Sequence, residues 1–215
     1  MAASPVESPK RATYRHGDLY RALLDAGVEL ARSGGPDAVV LREVTRRVGV
    51  APNAAYRHFA DHQALLGAVC AVAQSALAVA METEQDAVSA EDPVTRARGR
   101  LRAVGSAYLS FAQREPGLFR TAFSVPGDLR YAEHPKAAGE SGRTAYQLLG
   151  AALDDMVEAG ALPMGRRPGA EVAAWAAVHG LAMLLIDGPL RALDAPSVDY
   201  VTQQLLDMVK RGLTI

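Results

Sequence analysis

The sequence predicts an all-α fold of about nine helices. Three observations lead there. Apolar residues recur at three- and four-residue spacing in segment after segment, no segment alternates with the period of a strand, and Gly- and Pro-containing stretches punctuate the stripes. With 215 residues, 49 % hydrophobic and 22 % charged, the chain has ordinary globular composition and length for a small domain joined to a larger one.

Residues 1–13 are polar, contain Pro5 and Pro9, and read as a disordered arm. Leu19, Leu23, Ala26, Gly27 and Leu30 mark a first helix that ends at Ser33-Gly34-Gly35-Pro36. Leu41, Val44 and Val48 mark a short second helix, and residues 52–59 a short third. From about residue 62 to 84, Leu65, Leu66, Val69, Ala73, Ala76, Leu77 and Ala80 form one stripe, a long fourth helix. Further stripes follow at Leu101/Val104/Tyr108/Phe111, Tyr146/Leu149/Leu153/Met156, Val172/Trp175/His179/Met183/Ile186 and Val201/Leu205/Met208/Val209. Glu115-Pro116-Gly117, Val125-Pro126-Gly127 and residues 162–168 read as breaks between them. The expected organisation is an arm over 1–13, a DNA-binding domain over 14–61 and a helical ligand-binding and dimerisation domain over 62–215.

The net charge of −1 excludes a uniformly basic nucleic-acid binder. Residues 1–62 carry nine basic and seven acidic side chains, a small bias toward positive charge at the N-terminal end. Cys70 is the only cysteine, so no intramolecular disulfide forms, and in its apolar run it reads as a small buried hydrophobe in a reducing compartment. The N-terminus has no apolar core of a secretory signal. Residues 173–186, read as the most apolar stretch, number 14 and contain His179, against the roughly 20 a membrane helix needs. A cytoplasmic location is expected.

Function is most legible between Leu41 and Leu66. Two short helices flank Gly49-Val50-Ala51. Gly49 suits the left-handed conformation that ends a helix, because it has no Cβ to clash. Pro52 suits the first turn of the next, where the missing N–H costs nothing. Helix, short glycine-containing turn, helix is the helix-turn-helix plan. On a wheel of 100° per residue, Ala55, Phe59 and Pro52 cluster toward the core, while Asn53, Ala54 and Arg57 lie opposite and Tyr56 and His58 flank them. Asn pairs bidentately with adenine and Arg with guanine, and Ala touches a thymine methyl. Tyr, His and Arg also reach phosphates. Arg42, Arg46 and Arg47 point away from the apolar stripe of the second helix and can meet the DNA backbone. The competing reading is a plain helical hairpin with a solvated arginine face.

The string LREVTRRVGVAPNAAYRHFADHQALL resembles the N-terminal pattern of the tetracycline-repressor (TetR) family, through Val44, Gly49, Val50, Pro52, Tyr56, His58, Phe59, Leu65 and Leu66. Tyr14-Arg15-His16-Gly17-Asp18-Leu19 is similar to one branch of that family. Trp175-Ala-Ala-Val-His179-Gly180-Leu resembles its Trp-His-Gly ligand-domain subgroup. The resemblance implies a homodimer on double-stranded DNA, usually a repressor, released when a small molecule enters the C-terminal domain. By position it implies DNA contacts at Pro52, Asn53, Ala54, Tyr56, Arg57 and His58, with Arg42 in the preceding helix. His62 stands where the family commonly has a phosphate-binding lysine, which weakens that anchor because histidine is mostly neutral at pH 7. Ala51 replaces the usual capping serine, forgoing about 1 kcal/mol. Thr45 and Ala55 replace a customary alanine and leucine, which reads as a paired exchange of volume.

In the C-terminal half, His179 reads either as a buried, hydrogen-bonded core histidine or as part of a pocket with Tyr108, Phe111, Phe119, Phe123, Tyr146, Trp175 and Met183. The last two helices are apolar on more than one face and are expected to pair with a second subunit as a four-helix interface with twofold symmetry. Two recognition helices would then read half-sites about one DNA turn apart on a palindromic operator.

Enzyme chemistry has no motif behind it: no G-x-S-x-G elbow, phosphate loop or H-E-x-x-H is present, and no His/Cys cluster has metal spacing. No cofactor is expected. Asp154-Asp155 reads as a solvated helix face, as do Arg96, Arg98, Arg100 and Arg102. A third class is a helical adaptor that dimerises without binding DNA.

Overall fold

The computed structural model describes residues 16–125 and 134–214, and among these there are nine α-helices and no strand. They are α1 (His16–Gly34), α2 (Leu41–Val48), α3 (Pro52–Ala55), α4 (His62–Asp86), α5 (Pro93–Arg114), α6 (Pro116–Ala122), α7 (Ala145–Glu158), α8 (Ala170–Ile186) and α9 (Ala195–Thr214). The expected arm over residues 1–13, and Tyr14 and Arg15 of the family-like opening, lie outside the described residues.

Helix α4 is the axis, with α1, α5, α6 and α7 packed along it. Its buried Leu65, Val69, Ala73 and Leu77 follow the predicted stripe, and buried Met81 and Gln85 continue it by a turn. Each large apolar side chain so buried stabilises the fold by about 1.5–3 kcal/mol. Helix α4 also has an 18-residue window of mean hydropathy 2.0, long and apolar enough to cross a membrane by length and composition. The stretch at 173–186 is therefore not the one that bears on a membrane span. The physical reason for α4's apolarity is that four helices surround it.

Start signals are local. Asp61 caps α4 by accepting from the Ala64 N–H at 2.8 Å, and Asp92 caps α5 by accepting from the Thr95 N–H at 2.8 Å. Thr144 and Gln147 form a reciprocal capping box at α7. Gly49 ends α2 at φ 74°, in the left-handed conformation expected of it.

Three sequence expectations need correction. The third helix stops at Ala55, and residues 56–58 continue as a turn in which the His58 and Phe59 N–H groups both reach the Ala55 carbonyl, each at 2.9 Å. Glu115-Pro116-Gly117 is not only a break: Pro116 occupies the first turn of α6, a helix that no stripe announced because it has under two turns. Asp154 and Asp155 are not merely solvated, since Arg167 Nε lies 2.7 Å from Asp154 and Arg100 Nε 3.4 Å from Asp155.

Candidate nucleic-acid interface and internal cavity

Two sites emerge, one at each end of the fold. At the first, Ala55 and Phe59 are buried and anchor the turn after α3. Tyr20 of α1 stacks on Phe59 with ring centroids 5.0 Å apart and lies 6.3 Å from the His58 ring. With that side fixed, Pro52, Asn53, Tyr56 and Arg57 are exposed, Tyr56 at 55 %, and Ala54 and His58 are half-buried. Pro52 thus faces outward and not toward the core as the wheel predicted. It sits at the start of α3, beside exposed Gly49 and Ala51.

The α2 arginines divide. Arg46 makes a two-pronged contact with Glu43 at 2.6 and 2.8 Å, and Arg47 reaches the same carboxylate at 3.4 Å. The Arg46 hydrogen bonds draw the Glu43 carboxyl down to about 2, with Arg47 adding to the effect. Arg42 and Arg57 have no ion pair among the described residues and remain available to an anion. Thr45 is buried, and its hydroxyl donates to the Arg42 carbonyl at 3.0 Å, which satisfies the polar group in that tight position. His62 Nε2 donates to the Val39 carbonyl at 2.8 Å, tying the start of α4 to the turn before α2.

The second site is a cavity between α4, α5, α7, α8 and α9, lined mostly by apolar side chains. Of the aromatic residues expected there, Tyr108, Phe123, Tyr146 and Trp175 line it. Phe111 and Phe119 are buried in the core without lining it, and Met183 is on the surface. His179 lies one layer behind the wall: its Nδ1 is 2.8 Å from the Tyr108 hydroxyl, which also takes the Trp175 Nε1–H at 3.1 Å. Trp can only donate, so the Tyr108 oxygen accepts there, and its own proton finds an acceptor in Nδ1 when the neutral ring is protonated on Nε2. Burial lowers the His179 pKa below 6.5 and pushes the Tyr108 hydroxyl above its usual range. Phe119 stacks on His179 at 5.6 Å and meets Tyr108 edge-on at 5.3 Å, which fixes both rings.

Sequence reasoning missed the polar lining residues Gln74, Arg102, Thr144 and Lys210. By sequence Arg102 groups with Arg96, Arg98 and Arg100 on a solvated helix face. Only the packing of α9 against α5 shows that it turns inward. Tyr20 was missed too, because it stands beside the α1 stripe and not on it.

Helix α6 connects the two sites. Phe123, which ends it, lines the cavity, and the Ala122 carbonyl accepts from Gln74 Nε2 at 2.7 Å. At its start, Arg32 of α1 pairs with Glu115 at 3.0 Å. Arg120 grips Asp187, just past α8, through Nε at 2.9 Å and Nη2 at 2.6 Å.

Two family models match this chain: bacterial regulatory proteins of the tetR family over residues 23–69, and the tetracyclin repressor-like C-terminal domain over residues 101–209, half of the chain. The chain belongs to the TetR family. In this TetR-family regulator the first match covers the helix-turn-helix and the opening turns of α4, and the second runs from α5 into α9.

Solved structures agree on the fold. A protein of unknown function from Rhodococcus sp. RHA1 is 28 % identical with a TM-score of 0.73, covering 95 % of this chain and 100 % of that one. The transcriptional regulator FadR from Bacillus subtilis, in complex with stearoyl-CoA, is 16 % identical with a TM-score of 0.66, over 90 % and 98 % of the two chains. RolR, in complex with resorcinol, is 15 % identical with a TM-score of 0.58, over 93 % and 89 %. No curated protein matches the sequence.

Proposed function

We propose that this TetR-family chain is a cytoplasmic, homodimeric repressor that leaves a near-palindromic operator when a small molecule enters its cavity. The observation that carries the reading is that one short helix, α6, touches both the cavity and α1 of the DNA-binding end. Two structural neighbours were solved with small molecules, stearoyl-CoA and resorcinol, which supports a ligand-holding C-terminal domain.

On DNA, Asn53 and Arg57 read base edges, with Pro52 and Ala54 against thymine methyls. Tyr56, His58 and Arg42 reach phosphates. His62, with Nε2 committed to Val39, offers DNA only Nδ1, which donates to a phosphate when the ring is charged. Dimerisation uses α8 and α9, whose outer faces expose Val172 at 52 %, Leu184 at 43 % and Met208 at 55 %, with Met183 and Tyr200 beside them. A ligand against Phe123 and Gln74 shifts α6 and α4, and the change in α1 alters the separation of the two recognition turns. The ligand moves this equilibrium only by its differential affinity for the two states.

The test is selection of bound sequences from a random duplex pool at stated salt. Enrichment of a palindrome supports the reading, and its loss in Tyr56→Ala/Arg57→Ala protein that remains dimeric assigns the surface. A folded dimer that enriches nothing sinks it in favour of the adaptor. Equal recognition-turn spacing in DNA-bound and ligand-bound dimers would remove the release mechanism.

A further inference from the structure

The cavity lining has a polarity of its own. Two cations, Arg102 of α5 and Lys210 of α9, line it, and no carboxylate among the described residues does. Asp207 tethers both, accepting from Arg102 Nη1 at 2.7 Å and Lys210 Nζ at 3.2 Å. Arg102 Nη2 donates to the neutral Gln203 side chain. Two positive charges against one negative leave a net positive mouth. Both side chains are between a third and two-fifths exposed, so they stand where the cavity meets solvent. Inward of them the wall is apolar, through Leu101, Val104, Leu206 and Val209, and further along α5 lies buried Tyr108.

We propose that the effector is an amphipathic organic anion, its apolar body between α5, α8 and α9 and its carboxylate at Arg102 and Lys210. This rests on reading the cavity as the effector site. A neutral body closing the mouth strips water from Arg102 and Lys210 and returns nothing to them. A carboxylate there accepts charge-assisted hydrogen bonds from the donors that Asp207 and Gln203 leave unused. A cationic ligand is repelled. The six residues from Arg102 to Tyr108 rise about 9 Å along α5, which sets the depth from the cationic mouth to the Tyr108 end.

The experiment uses the full chain with Nile red, an uncharged dye that fluoresces in apolar cavities, displaced by decanoate, decan-1-ol or decylamine. These share one hydrocarbon body and differ in head-group charge. Decanoate is expected to displace the dye at least tenfold more tightly than decan-1-ol, with decylamine weakest. Lys210→Gln, and Arg102→Gln beside it, should remove most of the decanoate advantage and leave decan-1-ol unchanged. Displacement by decan-1-ol equal to or better than decanoate overturns the anion assignment while the cavity stands as an effector site. Dye that fails to bind, or binds equally to Ala174→Trp protein whose cavity is filled, overturns the effector site itself. If Ala174→Trp unfolds, Val209→Trp fills the same space from the other wall.

Discussion

Gly117 stands so close to α1 that a Cβ built on it would lie 2.3 Å from the carbonyl oxygen of Ala31 and 2.4 Å from that of Arg32. Real Cβ atoms do not approach backbone oxygen so closely, and backbone cannot swing aside as a long side chain can. The absence of a side chain at 117 therefore sets how near the ligand-binding part sits to the DNA-binding part.

Gly117→Ala should push α6 from α1 and destabilise the fold by about 1–3 kcal/mol, the usual range for overpacking. Urea titration should show a lower midpoint at unchanged slope. An unchanged midpoint would mean that the contact yields freely and that α6 does not hold α1 in place.

Tyr108→Phe keeps the ring against Phe119 but removes the hydroxyl that joins Trp175 Nε1 to His179 Nδ1. Two polar atoms then lose their partner, at a cost of about 1–3 kcal/mol. The same titration reads it. A neutral result would place water in the gap.

His179 makes stability depend on pH in one direction. Its folded pKa is lowered by burial from 6.5, so below that value the unfolded chain binds a proton that the folded chain refuses. Stability is full above 6.5 and falls as pH drops toward the lower folded value. The ring's neighbours are Tyr108, Phe119, Phe123 and Trp175, none of which titrates in this window. His179→Gln keeps an acceptor for the Tyr108 hydroxyl and removes the titration. The urea midpoint should fall less between about pH 7 and about pH 5 in this variant than in the parent. Equal falls would assign the dependence elsewhere.

The phosphate role proposed for Arg42 and the base-reading role proposed for Asn53 separate by salt. Arg42→Ala should weaken binding to all sequences alike and reduce the slope of log affinity against log salt by about 1, as loss of one phosphate contact does. Asn53→Ala should cost about 1–3 kcal/mol on the preferred operator and relax selection at one base pair, with the salt slope kept. The reverse pattern in competition binding would exchange their roles.

The helix-turn-helix was legible because its determinants are local. Gly49 needs a positive φ, Pro52 suits a first turn, and Val44, Ala55 and Phe59 are buried at the spacing their periodicity demands. The long apolar repeat of α4 likewise follows from residues three and four apart. Where the periodic signal is short it misleads: α3 is a turn shorter than its sequence suggests, and α6 has too few residues for a stripe.

The cavity was legible only in part, for a different reason. Aromatic residues at helical spacing say that a face is buried, but not whether it meets core or empty space. Phe119 and Phe123 are four residues apart, yet Phe119 fills the core behind His179 while Phe123 faces the cavity. Arg102 and Lys210 lie 108 positions apart and become one cationic mouth only when α9 packs across α5. Sequence alone determined what neighbours along a helix decide, the Gly49 turn and the buried stripes of α4, α5 and α7. In α8 and α9, apolar on several faces, the stripe instead falls on Val172, Met183 and Met208, which the structure exposes. Tertiary packing decided what depends on distant helices meeting, namely which buried groups pair, which line a void, and where charge is left over.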